Sequence, residues 1–430
     1  MEVPKISHDI FMKRALSLAS LGLKRTSPNP LVGCVIVKNN MIIGEGWHHE
    51  YGKSHAEIEA LNDAKSRGED VRGSTVYVTL EPCSHYGKTP PCANRLVQEG
   101  ISEVVIAMRD PNPKVDGKGI KILREAGIKV VELKNFEDDA KFLNKGFIFV
   151  HKYSRPFVTL KAAMSLDGRM CLLNGSSKWL TGKLARIKAH EIRAENDAVL
   201  VGVNTVLSDN PELTVRNVKG INPVRVILDA KLSTPPDAKI LGDDGKCIIL
   251  TSEYAEDEKM KMLESKGVKV FRVTGENNIL QGKSEILDEA DEKILKLSEQ
   301  DEISQEQSRV SDDTGKKIFR LPEDFHEKIL PKKRNLHINL KSALELLASQ
   351  GILTLMVEGG PEVLSSFLRE GLADYVNLFF APKILGEGRG FNFHMNFSEI
   401  KDAFALNNIK TCQLGDDFMI EGRLNSSPIL

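Results

Sequence analysis

His55 and Glu57, read together with Cys83 and Cys92, are the residues of this chain best suited to chemistry. One imidazole and two thiolates hold a zinc ion tetrahedrally and leave the fourth position to water, the layout of catalytic zinc. Zinc lowers the pKa of such a water toward neutrality. A carboxylate two residues from the histidine is placed to take its proton and hand it to a leaving group. Hydrolytic deamination is the reaction this set predicts. The alternative is a closed zinc knuckle or two unrelated buried cysteines, but only three ligands sit at sensible places and Glu57 is an unusual companion for a structural site.

Zinc deaminases pair H-x-E with P-C-x-x-C. His55-Ala56-Glu57 and Pro82-Cys83 fit, but Cys92 follows only after eight residues, Ser84 to Pro91. That insert must loop out and return, and its two prolines and one glycine suit a loop. The positioning elements are a helix opening over 55–61, with Ser54 as its cap, and a strand over 74–80 that delivers Cys83 from its carboxyl end. Proline suits the first turn of a helix, so His55 and Cys83 are both expected at helix N-termini, where the dipole favours a thiolate. Ligands in α/β layouts gather outside the carboxyl ends of strands, which is where this places the zinc.

Around these elements, Ser7 is the expected cap of a first helix with Met12, Ala15, Leu16 and Ala19 on one face. Residues 31–37 read as a buried strand, and Asn39-Asn40 as the hairpin turn into 41–46. A helix over 93–99, a strand over 103–107, the loop Asp110-Pro111-Asn112-Pro113 and a third helix–strand pair ending near Val131 complete the first unit. The alternation predicts a sheet covered by helices on both faces. The polar run 151–156, which ends in Pro156, marks a boundary between units at 1–150 and 156–430.

In the second unit, strands are expected over 157–164, 198–203, 224–228, 247–250, 353–357 and 376–380, with Asp167-Gly168 as a turn. No G-x-G-x-x-G follows its first strand. The best place for backbone amides to meet a phosphate is Gly359-Gly360-Pro361, after the strand over 353–357. Residues 276–333 are rich in Glu, Lys, Asp, Ser and Gln and read as a charged surface insert, since loops accept length cheaply.

At ~150 residues per domain, 430 residues make two or three domains. No apolar run approaches the ~20 residues of a membrane span. Met1-Glu2-Val3-Pro4-Lys5 lacks the basic-then-apolar layout of a secretory signal, so a cytoplasmic protein is expected. Six cysteines are too few and too scattered for a disulfide framework. With 59 basic against 60 acidic residues there is no footprint for a polyanion, so a small substrate is expected, with no nucleic acid and no membrane as partner.

His55-Ala56-Glu57, the run from Pro82 to Cys92 and Ser27-Pro28-Asn29-Pro30-Leu31-Val32-Gly33 resemble the deaminase half of the bifunctional riboflavin-biosynthesis deaminase/reductase family, which shows the same long cysteine spacing. Lys161-x-Ala163-x-Ser165-Leu166-Asp167-Gly168-Arg169, Ser177-Lys178-Trp179-Leu180-Thr181, the run from Asp209 to Arg216 and Val357-Glu358-Gly359-Gly360-Pro361 are similar to its reductase half. The resemblance covers nearly all of the chain apart from the charged insert. It implies a cytidine-deaminase-like three-layer α/β/α domain followed by a dihydrofolate-reductase-like α/β domain, in a homo-oligomer. The implied reactions are zinc-dependent deamination of a phosphorylated diaminopyrimidinone, then NADPH-dependent reduction of its ribosyl group to ribityl.

The same resemblance implies Glu57 as catalytic proton carrier and His55, Cys83 and Cys92 as zinc ligands. It sets Asn29 and His48 near the pyrimidine, His85 and Lys88 near the phosphate, and Asp110 and Asn112 near the ribose. Cofactor contacts fall on Ala163, Trp179, Thr205, Asp209, Gly359 and Gly360. Substrate contacts in the reductase half fall on Ser177, Arg193, Leu213, Arg216 and Glu358, with Lys161 as the group that polarises or protonates the sugar. Ordinary surface roles for His48 and Lys88, and core packing for Trp179 and Leu213, are the competing readings. Thr251-Ser252, after the strand over 247–250, is a further candidate contact for the extra phosphate of NADPH. Two other functions compete: a zinc deaminase of another base joined to a non-catalytic second domain, and a zinc-stabilised scaffold without turnover.

Overall fold

The structure, a computed structural model, describes residues 8–84, 90–112, 115–274, 338–391 and 397–428. His85, Lys88, Ser7 and the charged insert lie outside the described residues. The chain opens with α1 (His8–Ser20), β1 (Gly33–Lys38), β2 (Met41–Trp47), α2 (Ala56–Ser66), β3 (Thr75–Leu80), α3 (Cys92–Gln98), β4 (Glu103–Met108), α4 (Lys118–Glu125) and β5 (Lys129–Glu132). Their sheet has the order β2-β1-β3-β4-β5, antiparallel across β2-β1-β3 and parallel across β3-β4-β5. Asn39 and Asn40 both take positive φ, 52° and 61°, as a two-residue hairpin turn requires.

The strands are apolar on consecutive positions because both faces are covered. Cys34, Ile36, Val76, Val78, Val104 and Ile106 pack under α2, α3 and α4. Val35, Val37, Tyr77, Val105 and Ala107 point the other way, under α1 and two helices further along the chain, α5 (Glu137–Leu143) and α6 (Lys145–Tyr153). The expected three layers are therefore present.

α6 runs through residue 153 into the expected boundary and hands the chain to β6 (Phe157–Ser165). The second unit continues with β7 (Arg169–Leu172), α7 (Lys183–Glu195), β8 (Ala198–Gly202), α8 (Val203–Asp209), β9 (Val224–Leu228), β10 (Cys247–Ser252), α9 (Asp257–Glu264) and β11 (Lys269–Val273). After the insert come α10 (Leu340–Ser349), β12 (Thr354–Val357), α11 (Pro361–Arg369), β13 (Tyr375–Ala381), β14 (Gly388–Gly390), β15 (Leu406–Leu414) and β16 (Asp417–Leu424). The main sheet has the order β11-β10-β9-β8-β12-β6-β13-β16-β15, parallel as far as β13 and antiparallel beyond.

β7, β14, β15 and β16 were absent from the expected strands. β7 and β14 are four- and three-residue segments paired with each other, and β15 is a largely exposed, polar edge. None carries the apolar signal that a buried strand leaves in a sequence.

One buried ion pair anchors the second unit. Arg155 donates to both carboxylate oxygens of Asp374, at 2.6 and 2.8 Å, and the same carboxylate accepts from Val158 N and Ser427 Oγ. Asp374 has no exposed surface, and removing one partner of such a pair costs about 3–5 kcal/mol.

Candidate active sites

The first site forms where β3 ends and α2 and α3 begin. α2 starts one residue later than expected: His55, not Ser54, is the N-cap, and its side chain makes no capping bond. The ring is turned instead toward the cysteines, with Nδ1 3.5 Å from Cys83 Sγ and 3.4 Å from Cys92 Sγ. The expectation that Cys83 opens a helix is corrected. Cys83 lies in the loop after β3, and Cys92 is the first residue of α3, because the long insert separates the strand from the helix. The helix N-terminus still serves Cys83, since the Cys92 main-chain N–H donates to Cys83 Sγ at 3.2 Å. Hydrogen bonding, led by the Cys92 side chain, outweighs burial and lowers the pKa of the Cys83 thiol.

The three ligand atoms all lie within 4.8 Å of one another. Tetrahedral zinc with bonds of ~2.0–2.3 Å needs ligand atoms about 3.5 Å apart, so the donor set and its spacing both fit zinc. Glu57 is 3% exposed, and burial pushes its carboxyl up to about 7.

A cavity of about 380 Å³ gathers Asn29, His48, His55, Glu57, Cys83, Asp110 and Asn112. His48 is buried, not a surface histidine. Its Nδ1 faces the Ser54 carbonyl at 2.9 Å and must donate there, so Nε2 accepts from Asn29 Nδ2 at 3.1 Å. Burial also lowers the His48 pKa, keeping this ring neutral. Burial raises Asp110 to about 6.

Glu81 is a cavity residue without a role in the sequence reading. Its carboxylate accepts from the main-chain N–H groups of Gly119, Ile120 and Gly117 at 2.9, 3.2 and 3.0 Å, binding the start of α4 to the residue before Pro82-Cys83. A carboxylate at a strand end, beside the metal motif, is the signal that could have found it. Phe147, Val150, His151, Ala348 and Leu353 also line this cavity, and nothing local in the sequence marks them.

In the second unit Lys161, Arg193 and Glu358 come together. Arg193 Nε and Nη2 donate to the two Glu358 oxygens at 2.8 and 2.9 Å, and Lys161 Nζ lies 4.0 Å from Oε2. Burial alone would raise Glu358, but Arg193 and Lys161 outweigh it and hold the carboxyl at about 2. Burial lowers Lys161. The Thr214 carbonyl accepts from Arg193 Nη1 at 2.7 Å, and Arg216 N approaches His190 Nδ1 at 3.4 Å, so the segment around Leu213 docks on α7.

The remaining residues are spread more widely. Leu213 is buried in the core with φ 51°, whereas Trp179 is 73% exposed, with the Arg186 guanidinium 4.7 Å from its ring. Ser177 and Asp209 are exposed, Ala163 is half-buried on the face of β6 that carries Lys161, and the Arg216 side chain pairs with Glu212 at the surface. Thr205 and Gly360 share a cavity of about 550 Å³ with Gly202, Leu228, Arg169 and Arg389. Gly202 and Leu228 end parallel strands and Gly360 caps α11, the setting in which α/β folds receive a nucleotide. Two guanidiniums supply charge for its phosphates, so the residues present fit a nicotinamide dinucleotide. Thr251 and Ser252 do not reach this cavity, for both are fully buried and Ser252 Oγ donates to the Ala230 carbonyl.

The glycine pair divides its work. A Cβ on Gly359 would stand 2.7 Å from Val363 Cβ, while one on Gly360 would meet nothing within 4 Å. Gly359→Ala is expected to cost about 1–3 kcal/mol of stability, seen as a lowered thermal midpoint. Gly360→Ala should leave the midpoint near wild type.

A His/Cys/Cys site beside a buried glutamate in one sheet, and in a second sheet a strand-end cleft together with a separate buried Lys/Arg/Glu cluster, fit a zinc deaminase joined to a reductase. Comparison with known proteins agrees. The cytidine and deoxycytidylate deaminase zinc-binding region matches residues 5–108, and the RibD C-terminal domain matches residues 156–281 and 285–420. The riboflavin biosynthesis protein RibD of Aquifex aeolicus is 40% identical over 95% of this chain and 96% of its own length, and that of Bacillus amyloliquefaciens 37% identical over 96% and 95%. Among solved structures, Acinetobacter baumannii RibD superposes with a TM-score of 0.74 at 33% identity over 97% of this chain and 98% of its own. The Thermotoga maritima diaminohydroxyphosphoribosylaminopyrimidine deaminase/5-amino-6-(5-phosphoribosylamino)uracil reductase gives 0.72 at 36% over the same shares.

The chain belongs to the RibD family of bifunctional riboflavin biosynthesis enzymes. It is a zinc-dependent deaminase and an NADPH-dependent reductase of riboflavin biosynthesis, and its second unit has the dihydrofolate-reductase-like fold. Among the described residues no helix is long and apolar enough to cross a membrane.

Proposed function

We propose that residues 1–150 carry the deaminase, with His55, Cys83 and Cys92 as zinc ligands and Glu57 as the catalytic acid and base. The observation that carries this reading is the buried Glu57 lining the same cavity as His55 and Cys83 of the His/Cys/Cys cluster. When bound, zinc supplies a water acidic enough to act as nucleophile near neutral pH. Glu57 takes one proton from the attacking water. As the new C–O bond forms, Glu57 gives that proton to the ring nitrogen; it then takes the second proton from the new hydroxyl and gives it to the amino group, so that the C–N bond breaks, ammonia leaves and a carbonyl remains. Asn29 and His48 orient the pyrimidine, Asp110 and Asn112 hold the ribose, and His85 and Lys88 meet the phosphate.

In residues 156–430, which include the charged insert at 276–333, Ala163, Trp179, Thr205, Asp209, Gly359 and Gly360 hold the cofactor. NADPH supplies the hydride. Ser177, Arg193, Leu213, Arg216 and Glu358 contact the substrate, and Lys161 gives a proton to the sugar oxygen, for which burial has already lowered its pKa. All six cysteines are free, in keeping with a reducing, cytoplasmic setting. The near-zero net charge supports a protein without nucleic-acid or membrane partners. β15 is the edge of the main sheet and carries Ile409 at 58% exposure, which favours a homo-oligomer built through the second unit.

The test follows ammonia from the diaminopyrimidine in zinc-loaded protein without NADPH, then NADPH oxidation on its addition. Ammonia in both cases, with NADPH consumed only after deamination, supports both sites and their order. Ammonia without NADPH oxidation would remove the reductase assignments alone.

A further inference from the structure

The first sheet does not supply the whole wall of the deaminase cavity. Phe147, Val150 and His151 of α6, with Ala348 and Leu353 of the second unit, close one side of it. Two anchors hold that side in place. Gly146 lets α6 seat on the start of β12, for a Cβ there would stand 2.7 Å from the Leu353 carbonyl oxygen and 2.8 Å from Thr354 Cγ2. The second anchor is Asp197, the residue before β8. Its Oδ2 accepts from the main-chain N–H groups of Leu353 and Thr354, both at 3.0 Å, and from Thr354 Oγ1 at 3.2 Å. Its Oδ1 accepts from Ser27 Oγ, across the junction of the two units, at 2.9 Å.

Ser27 lies two residues before Asn29 in the turn that borders the cavity. From Asn29 the connection runs to His48 and on to the carbonyl of Ser54, next to the metal ligand His55. One carboxylate of the second unit therefore grips both the loop that carries Asn29 and the main chain of Leu353, and both line the cavity.

We propose that Asp197 is a positioning residue for deamination, and that the pyrimidine cavity takes its full shape only when the second unit holds Ser27 and Leu353 through it. The bond acts on where Asn29 stands and not on the proton transfers at Glu57, so its loss falls on substrate binding. This rests on assigning the cavity to the pyrimidine.

The test uses full-length, zinc-loaded protein. Ser27→Ala should raise the deaminase KM roughly three- to tenfold, the worth of one hydrogen bond, with kcat within about twofold of wild type. Reduction of the deaminated pyrimidine by the same preparation should be unchanged. Ser27→Thr keeps the hydroxyl and should restore the KM. Asp197→Asn should raise the KM at least as far, and adding Ser27→Ala to it should raise it no further, because both remove the same bond. Wild-type deaminase KM in Ser27→Ala overturns the proposal, as does an equal fall of both activities with loss of zinc. Should Asp197→Asn fail to fold, the Ser27 variants decide alone. If the cavity assignment itself is wrong, Glu57→Gln still releases ammonia; if only this inference is wrong, Glu57→Gln is inactive while Ser27→Ala keeps its KM.

Discussion

Glu57→Gln lowers ammonia release from the diaminopyrimidine by roughly 10²–10⁴-fold, while zinc content stays at the wild-type level. The glutamine side chain fills the same buried volume and can still accept a hydrogen bond, but it cannot take a proton and return it. The metal is expected to stay because the proposed ligands are His55, Cys83 and Cys92, and glutamine keeps a polar group beside Cys92. NADPH oxidation on the already deaminated pyrimidine proceeds normally, because that chemistry belongs to the other sheet. Metal analysis beside both assays separates the outcomes. Full deaminase activity with normal zinc would remove Glu57 from the mechanism, and zinc loss would make it a structural support of the metal.

Glu358→Gln is expected to lower stability by about 3–5 kcal/mol, the cost of leaving buried charge without its partner. Arg193 and Lys161 would then face each other with no anion between them. Reductase turnover falls by about 10²-fold or more as the cluster loses its geometry, and deamination survives in the fraction that stays folded. Denaturant titration read with both assays checks this. The acid side gives a second signature. Glu358 in the folded protein sits at about 2, below its ordinary 4.5, so its stabilising contribution is complete above pH 4.5 and fades as pH falls toward 2. The gap between wild type and variant should therefore narrow between about pH 5 and about pH 3. A gap that stays constant or widens would mean that the carboxylate is not held down by its two cations.

The deaminase chemistry was legible because it is written locally. His55 and Glu57 are two residues apart, and Cys83 follows a strand whose apolar run is unmistakable. The helix after Cys92 was expected, but a second one at Cys83 was not found: Cys83 stays in the loop, since proline near a cysteine does not say on which side of a loop the helix begins. In the second unit the parallel strands showed themselves by continuous apolar runs, while the polar edge β15 did not. The cluster of Lys161, Arg193 and Glu358 draws on β6, α7 and the end of β12, and neither composition nor periodicity predicts that convergence. The cavity wall from Ala348 and Leu353 was least visible of all, being set by docking between units far apart in sequence.

The buried carboxylate of Asp374 carries a consequence for how such a protein can be assembled. It takes Arg155 and Val158 from where the second unit is entered and Ser427 from close to where it is left, so entrance and exit stand at one point. A module closed in this way can be moved as a cassette, fused behind a different partner or reopened at a surface loop, without rerouting any strand. Such freedom makes catalytic halves interchangeable in principle. Here Leu353, lent as wall to the neighbouring cavity, restrains it: any replacement cassette would have to bring the same surface to the same place.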